Sequence, residues 1–507
     1  MVFSSHAFLV FLLLVLLGYA LVARIGASSA PKHFLTFASL VFYGFWIPAY
    51  LVLLGGSVMV NYGLAGLIRK NLGHARAHQW LVLGVVLNLG LIGYYKYLDF
   101  LITSLNWGLG AQLPLQHILL PIGISFITFQ KISFLVDTYR GKVGEVPFPD
   151  FLFFISFFPQ LIAGPIVTQS DFLYQVKQKK NAWSLNPYGL AVGFAIFSAG
   201  LFKKTILADQ ISPYADHLFN MAASGGAIGF MDAWVGAMSY SFQIYFDFSG
   251  YSDMAVGLAF LFGFRLPINF FSPYKAASIR EFWRRWHISL SNFLRDYLYI
   301  SLGGNRHGFT RTMCALLATM LLGGLWHGAN ITFLVWGALH GLFLVINHGY
   351  VRSGLQWARF FGGSNRVAQA FRHLLAVLSV YLLVTIAWVF FRAVDLSTAL
   401  RVLKAMFLMT DHPSFTPTTY GVVTFIWLYF ILVWCLPNTV QLFQRFAAYL
   451  HAEEYLSGRT LAVKSLAEKH PWWSYRMNSF WAILAAISFS VAWFALSNLS
   501  PFIYFQF

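Results

Sequence analysis

The chain has too few charged residues for an ordinary soluble protein. Of its 507 residues, 34 are Lys or Arg and 17 are Asp or Glu, so 10% are charged, against roughly 25% in a typical soluble domain. Disorder is excluded as well, because 58% of the residues are hydrophobic and 19% are aromatic, far more than a disordered chain carries. The composition therefore predicts a protein whose solvent is lipid.

Cysteine is scarce, and the motifs of several enzyme classes are absent. Cys314 and Cys435 both lie in apolar runs without CxxC or Cys/His spacing, so neither a disulfide nor a metal site is predicted. There is no Walker A loop, no GxSxG elbow, no HExxH, no GxGxxG after a strand and no His-x4-Asp arrangement. ATP-driven transport and the usual serine-hydrolase chemistry therefore lack support.

The basic excess gives a net charge of +17. In a soluble chain this would suggest nucleic-acid binding, but cytoplasmic loops of multi-span proteins carry such an excess and face anionic headgroups. We therefore expect membrane lipid, and no nucleic acid, as a partner. If residues 33–68 form a helical hairpin, the basic loops on either side of it lie in the cytoplasm and the N-terminus lies outside.

Ten long stretches contain no Lys, Arg, Asp or Glu. They are residues 1–23, 33–68, 77–95, 100–130, 151–170, 181–202, 312–351, 373–391, 412–444 and 477–507. Because about 20 residues cross a bilayer, runs 33–68 and 312–351 each predict two helices, broken near Pro48 and within 323–328. We expect an all-α polytopic membrane protein with roughly eleven transmembrane helices plus re-entrant and interfacial helices.

The sharpest candidate for chemistry is His327, in LLGGLWHGAN near the middle of an uncharged run. A neutral imidazole can take a proton from a hydroxyl near pH 7. Gly323, Gly324 and Gly328 leave room beside the ring for a substrate or a second backbone. The alternative is a histidine bonded to a neighbouring helix, with the glycines serving helix packing, and spacing alone does not separate the two.

The segment 270–311 is strongly basic and is predicted to be cytoplasmic. Its basic residues are Lys275, Arg280, Arg284, Arg285, Arg295, Arg306 and Arg311. His287, Ser291 and Arg295 follow i, i+4, i+8 spacing, which on one helix places an imidazole, a hydroxyl and a guanidinium on one face. That face suits a phosphate-bearing ligand. The alternative is an amphipathic helix over 289–300 that faces lipid headgroups.

A third group is Gln243, Asp247 and Asp253 in QIYFDFSGYSDMAVGLA. Carboxylates within a membrane are costly, so they mark a site or a buried network. They either poise a histidine or pair with Arg or Lys in structural ion pairs, and the pairing is the favoured interpretation.

Four motifs, in order along the chain, resemble the core of the membrane-bound O-acyltransferase family. They are PFPDFLFFISFFPQLIAGPI, YFDFSGYSDMAVGLAFLFGFRLPINFFSPY, SIREFWRRWHISLSNFLRDYLYISLGGNR and LLGGLWHGANITFLVWGALHG. The opening MVFSSHAFLVFLLLVLLGYAL and PIGISFITFQKISFLVDTYRG are similar to the branch that contains the membrane subunit of alginate O-acetyltransferase. The resemblance covers nearly the whole chain and is firmest over residues 121–347.

The resemblance implies helices around a central pore, in one domain over residues 1–507, in the inner membrane of a bacterium. It implies that His327 is the catalytic histidine, that His287 is the second catalytic position, and that acetyl-CoA is a cytoplasmic donor substrate with no bound cofactor. The candidates for substrate binding are Arg284, Arg285, Ser291, Arg295, Trp326 and Asn330.

We expect His327 to act as a general base toward a hydroxyl, and His287 to orient the thioester or assist proton movement. Because no outer domain for a polysaccharide is evident, the acetyl group is expected to pass to a periplasmic SGNH-type acetyltransferase. The final acceptor is then an exopolysaccharide, alginate first and cellulose second. An acetyl-His327 or acetyl-Cys314 relay is less favoured. The rivals are a carrier-protein thioester donor, as in teichoic acid D-alanylation, and a polymer or ion transporter.

Overall fold

The computed structural model describes residues 1–25, 29–179, 183–353, 366–408, 417–456, 471–498 and 503, apart from the side chains of 417–420. These residues form 22 α-helices. The first eight are α1 His6–Arg24, α2 Ala30–Gly44, α3 Tyr50–Lys70, α4 Ala75–Ile92, α5 Leu98–Leu109, α6 Ile124–Tyr139, α7 Phe148–Ser156 and α8 Phe158–Leu161. The next six are α9 Gln169–Gln178, α10 Pro187–Phe202, α11 Asp209–Ala223, α12 Phe230–Leu261, α13 Ile279–Arg285 and α14 Ile288–Phe293.

The remaining helices complete the chain from the basic segment onward. They are α15 Gly308–His327, α16 Ile331–Ser353, α17 Arg366–Arg392, α18 Leu396–Phe407, α19 Pro417–Cys435, α20 Thr439–Leu442, α21 Ala452–Leu456 and α22 Ser479–Phe494. Three π-helical turns, Gly93–Tyr97, Lys203–Ala208 and Leu294–Tyr299, continue α4, α10 and α14. Two short parallel strands, β1 Leu266–Pro267 and β2 Tyr449–Leu450, pair Leu266 with Tyr449.

Seven helical segments in the described part of the chain are long and apolar enough to cross a membrane. They are His6–Arg24, Tyr50–Lys70, Ala75–Leu109, Pro187–Ala223, Gly308–His327, Ile331–Ser353 and Arg366–Arg392. Two shorter apolar helices are Gly421–Cys435 and Ser479–Phe494. The prediction of a helical multi-pass membrane protein is confirmed. The count is lower than eleven because α2 and α6 have only 15 and 16 residues, short of a full bilayer crossing.

The predicted helix breaks are confirmed at both long runs. Pro48 lies between α2 and α3, and α15 ends at His327 before α16 begins at Ile331. The run 151–170 is divided as well, because Phe157 is not helical and Pro159 starts a new short helix, a position where proline is tolerated.

Helix α12 is the centre of the fold, and every residue from Ser239 to Leu261 is buried. Its close approach to α10 depends on glycine. A Cβ atom added at Gly193 would lie 2.8 Å from the carbonyl oxygen of Gly257, and one added at Gly200 would lie 2.6 Å from that of Gly250. The two backbones therefore touch, as small residues permit at helix crossings in membranes.

Ion pairs also tie α12 to the end of α10. The ammonium of Lys204 lies 2.8 Å from Asp209 Oδ1 and 2.8 Å from Asp247 Oδ1, and that of Lys203 lies 2.6 Å from Asp253 Oδ2. Both lysines belong to the second π turn. Removing one partner from such a pair leaves a buried charge uncompensated, which is strongly destabilising. Asp247 and Asp253 thus stand in ion pairs with lysine.

The basic loops gather at one end of the molecule. Arg69 Nη2 lies 3.6 Å from Glu145 Oε1, which joins the loop after α3 to the loop after α6. Arg140 donates to the carbonyl of Asp296 at 3.3 Å, which brings in the predicted cytoplasmic segment. We call this the basic end. The opposite end, where α3 begins, lies about 30 Å away along that helix.

Helices α15 and α16 also meet backbone to backbone. A Cβ atom at Gly324 would lie 3.1 Å from Gly337 Cα, and one at Gly337 would lie 3.2 Å from Gly324 Cα and closer still to the carbonyl oxygen of Met320. This crossing fixes the end of α15, where His327 lies.

We therefore predict that Gly337→Ala lowers the stability of the protein by about 1–3 kcal/mol, because the added methyl forces the two backbones apart. Thermal unfolding in detergent, followed by tryptophan fluorescence, measures the loss. The matched control is Gly349→Ala on the same helix, where a Cβ meets nothing within 4 Å. Equal melting temperatures for the two variants would contradict the close crossing.

Candidate active site

His327 is the last residue of α15, and its neighbour Gly328 is extended. The residue is 5% exposed and lines a cavity of about 260 Å³, which we call the His327 cavity. Trp46 and Leu119 on its wall place it at the opposite end, where the hydroxyl of Tyr50 donates to the carbonyl of Leu119 at 2.7 Å.

The glycines beside His327 make room for a second backbone. The place of a Cβ at Gly324 is taken by the carbonyl of Phe333 and by Gly337, and the place at Gly328 by the ring of Phe333. The sequence allowed either a substrate or a second backbone in this space, and the structure places a neighbouring helix there. The cavity lies on another side of the ring.

His287 is fully buried and lies between α13 and α14. The prediction that His287, Ser291 and Arg295 share one helix face is wrong. Helix α13 ends at Arg285, Trp286 is extended, and His287 has φ 41° and ψ 54°. This left-handed conformation is uncommon for a residue other than glycine, and the spacing in sequence does not reveal it.

The side chain of Asn269 determines which nitrogen of His287 carries the proton. Asn269 Oδ1 lies 3.1 Å from His287 Nδ1 and accepts from the backbone N–H and the hydroxyl of Ser289 at 3.3 and 3.0 Å. Its Nδ2 donates to Ser252 Oγ at 3.2 Å. Because a backbone N–H can only donate, the atom that faces it is the amide oxygen, so His287 Nδ1 is the donor.

His287 therefore holds its lone pair on Nε2. The residue lies outside the candidate spans, and burial lowers the pKa of its imidazole to about 3. The ring is neutral at physiological pH, with the proton on Nδ1. Its Nε2 is suited to accept a proton or a hydrogen bond.

The two histidines flank one indole ring. The centroid of the Trp326 ring lies 4.9 Å from that of His327 and 6.3 Å from that of His287. Phe126 contacts both Trp326 and His287, at 5.5 and 6.4 Å. Trp326 also lines the His327 cavity, so His287 stands behind the wall of that cavity.

A line of stacked rings leads from Trp326 toward the basic end. Ring centroids are 5.2 Å apart between Trp326 and Phe129, 4.1 Å between Phe129 and Phe293, and 4.9 Å between Phe293 and Tyr297. Tyr297 lines a second cavity of about 550 Å³. The expected central pore is thus represented by two cavities with stacked aromatic rings between them.

The second cavity, which we call the basic cavity, gathers three cations. It is lined by Asp137, Arg140, Lys142, Thr168, Gln169, Ser170, Asp296, Tyr297, Ile300 and Arg306. Arg140 lies 3.8 Å from Asp137, whereas no carboxylate in the described part of the chain pairs with Lys142 or Arg306. The sequence did not single out Arg140 or Lys142, because only the fold brings their loop to the basic segment.

The arginines predicted to bind substrate lie apart from both cavities. Arg284 is exposed. Arg285 is buried, and its Nη2 lies 2.6 Å from Glu281 Oε1. Arg295 Nε lies 2.7 Å from Asp296 Oδ1 on the surface. The guanidinium of Arg285 thus holds α13 together, a pairing that its i, i+4 spacing from Glu281 indicates.

Ser291 and Asn330 also have structural contacts. The Ser291 hydroxyl donates to the carbonyl of Trp286 at 3.4 Å. Asn330 accepts from the N–H of Thr332 at 3.1 Å, as a helix cap does, and donates to the carbonyl of Val394 at 2.8 Å. Trp326 is the one predicted substrate-binding residue on the wall of the His327 cavity.

The remaining candidates lie away from the two cavities. Gln243, Asp247 and Asp253 are buried in α12, and none of them lines either cavity. Cys314 is exposed and lies on α15 about 20 Å along the axis from His327. An acetyl relay through Cys314 therefore has no geometric support.

Lys96 is a cavity residue that the sequence analysis missed. Its Nζ donates to the carbonyls of Trp326 and His327 at 2.6 and 2.9 Å, and the hydroxyl of Tyr97 donates to that of Leu325 at 2.7 Å. The available signal was a lysine inside an apolar helical stretch, since ionisable residues within spans are functional candidates by default.

Comparison with known proteins identifies the family of the chain. The model of the membrane-bound O-acyltransferase family matches residues 113–357, a range that contains both histidines. The chain is 44% identical over 401 residues to the peptidoglycan O-acetyltransferase of Helicobacter pylori, with 74% of this chain and 73% of that protein covered.

Two proteins named as probable alginate O-acetylase AlgI are also similar. The Pseudomonas aeruginosa protein is 44% identical over 418 residues, which cover 80% of this chain and 75% of the relative. The Pseudomonas fluorescens protein is 37% identical with all of both chains covered. The resemblance found in the sequence is confirmed, and the chain belongs to the membrane-bound O-acyltransferase family of multi-pass membrane enzymes.

Proposed function

We propose that this enzyme transfers acetyl groups from acetyl-CoA in the cytoplasm to a hydroxyl group that enters the His327 cavity from the periplasm. The observation that carries the proposal is the position of His327, on a cavity at the end opposite the basic loops. Basic loops mark the cytoplasmic side of membrane proteins, so in a bacterial inner membrane the cavity faces the periplasm.

The basic cavity is the proposed site for the donor. Arg140, Lys142 and Arg306 line it, and phosphates are the ligands that guanidinium and ammonium groups bind best. It takes the place of the helix face of His287, Ser291 and Arg295, to which the sequence analysis assigned a phosphate-bearing ligand. The thioester then extends along the aromatic stack toward Trp326.

His327 acts as the general base in the proposed reaction. It takes the proton of the acceptor hydroxyl while the oxygen attacks the thioester carbonyl, and the proton then passes to the leaving CoA thiolate. His287, with its lone pair on Nε2, assists proton movement from behind Trp326. A general base contributes about 10² to 10⁴ in rate.

The acceptor in the cavity is proposed to be a protein serine rather than a polymer. A volume of about 260 Å³ lies near the lower end of the roughly 300–1,000 Å³ of small-molecule sites, which favours a single side chain over a polysaccharide strand. The serine of a periplasmic SGNH-type acetyltransferase then carries the acetyl group to an exopolysaccharide. The relatives named for alginate favour alginate, and the relative named for peptidoglycan makes peptidoglycan the second candidate.

We predict that His327→Ala lowers the rate of acetyl transfer by about 10² to 10⁴, because the general base is lost. The measurement is transfer of labelled acetyl from acetyl-CoA by the protein in native membranes, at matched protein levels. His348→Ala is the control, since His348 lies on α16 and lines neither cavity. Transfer at the unmodified rate by His327→Ala would overturn the proposed function.

A second prediction concerns Asn269. In Asn269→Asp the carboxylate still accepts from His287 Nδ1, but its charge stabilises the imidazolium and raises the pKa of His287 by about one to three units. The ring is protonated below that raised pKa and loses its lone pair on Nε2. The activity of the variant should therefore fall at a higher pH than that of the unmodified enzyme as the solution is acidified.

The pH profile of kcat between about pH 4 and 8 measures this shift, because a pKa raised from about 3 by about one to three units lies between about 4 and 6. Ser252→Ala is the matched control, because it removes only the hydroxyl that accepts from Asn269 Nδ2 and leaves His287 without a new charge. Superimposable profiles for Asn269→Asp and Ser252→Ala would count against a role of the neutral His287 ring in the reaction.

The handoff to a protein can be tested with labelled acetyl-CoA. We expect the purified membrane enzyme to label a serine of the periplasmic acetyltransferase and to leave soluble alginate unlabelled. Direct acetylation of the polymer by the membrane enzyme alone would contradict the handoff. Competition by free CoA separates acetyl-CoA from a carrier-protein thioester as donor, because only acetyl-CoA shares the nucleotide and its phosphates with the competitor.

A further inference from the structure

Lys96 places a cation on the wall of the His327 cavity. The residue lies in the π turn Gly93–Tyr97, which interrupts a candidate span. π turns inside helices occur frequently at functional sites. In the described part of the chain no carboxylate forms an ion pair with Lys96. Its Nζ donates to the carbonyls of Trp326 and His327 and lies 5.9 Å from the centroid of the Trp326 ring.

The carbonyls do not balance this charge. The end of a helix carries about half a negative charge, so a net positive charge remains on the cavity wall. A lysine within a membrane span is costly and normally pairs or faces a site that uses its charge. The charge of Lys96 is thus available to whatever occupies the His327 cavity.

An ammonium has three N–H donors, and the carbonyls of Trp326 and His327 engage two of them. The end of α15 has additional support, since Tyr97 donates to the carbonyl of Leu325. Lys96 can therefore direct its third N–H to a ligand while it holds the helix end.

We propose that Lys96 is a further catalytic residue, whose ammonium stabilises the oxyanion formed during acyl transfer at His327. This inference rests on the proposed function of His327. Preorganised positive groups at a developing oxyanion are usually the largest contribution to such catalysis, and a single lost donor costs about 10² to 10³ in kcat.

The acceptor oxygen forms a bond to the thioester carbon, its proton moves to His327, and the carbonyl π electrons move to the oxygen that faces Lys96. When the oxyanion collapses, the C–S bond breaks, and the thiolate leaves and takes the proton from His327. Lys96 keeps its own proton throughout and contributes charge and one hydrogen bond.

Three substitutions at Lys96 separate its charge from its contacts. Lys96→Gln can still donate to the two carbonyls but has no charge, Lys96→Met lacks both, and Lys96→Arg keeps both. We expect kcat for acetyl transfer to fall about 10² to 10³-fold in Lys96→Gln and Lys96→Met, with KM for acetyl-CoA within about threefold. Lys96→Arg should retain clearly more activity than Lys96→Gln.

Tyr97→Phe is the matched control for a merely structural role. It removes a bond to the same helix end and leaves the charge in place, so it should keep kcat within about threefold. If Tyr97→Phe lost as much activity as Lys96→Gln, or if Lys96→Gln kept kcat within about threefold, the catalytic role of Lys96 would be wrong. Melting temperatures in detergent identify any variant that fails to fold. If Lys96→Gln fails to fold, Lys96→Met takes its place as the variant without charge.

The affinity for a trifluoromethyl ketone analogue of acetyl-CoA is a measurement that a purely structural role of Lys96 would leave unchanged. The hydrated or ionised carbonyl of this ketone resembles the oxyanion, so the affinity for the ketone should fall in Lys96→Gln in parallel with kcat/KM, while the affinity for CoA stays constant. An unchanged affinity for the ketone would overturn the proposal. If His327→Ala were inactive and Lys96→Gln fully active, only the role of Lys96 would be rejected. If His327→Ala were active, the proposed function itself would be rejected.

Discussion

A helix that ends inside a membrane protein must have its last carbonyl groups satisfied without bulk water. Helix α15 meets this constraint through Lys96 and Tyr97, which donate to the carbonyls of its last three residues. The bond from Lys96 to the carbonyl of His327 also fixes the backbone of that residue. Lys96 therefore both completes the end of α15 and positions His327, and it lies on the wall of the same cavity as that histidine.

The second histidine is held by a different part of the fold. Glycine contacts and buried ion pairs position α12 against α10, and Ser252 on α12 accepts from Asn269, which in turn accepts from His287. The α15–α16 crossing carries His327, and the α12 core carries His287. The two supports meet at Trp326, so a shift of either scaffold alters the relative position of the histidines.

The sequence was sufficient for the helical multi-pass class and for the helix breaks at Pro48 and after His327, because bilayer thickness limits the length of a span. It did not predict the left-handed backbone at His287, because periodicity assumes a continuous helix. Two residues that line the cavities were not predicted, for another reason. Lys96 and Arg140 meet their sites only through tertiary contacts between distant segments, which spacing along one segment does not encode.

Under the proposed function, the aromatic stack separates the two compartments that share the reaction, so that ions do not leak between them. A through-pore wide enough for CoA would also pass ions, whereas the stacked rings of Phe129, Phe293 and Trp326 present an apolar barrier between the cavities. Phosphates attracted by the cations of the basic cavity stay at that end, because burial of their charge among these rings is prohibitive. The acetyl group is uncharged and small. In the proposed reaction it is therefore the part of the donor that reaches the indole shared by the two histidines, and the free CoA leaves on the side from which it entered.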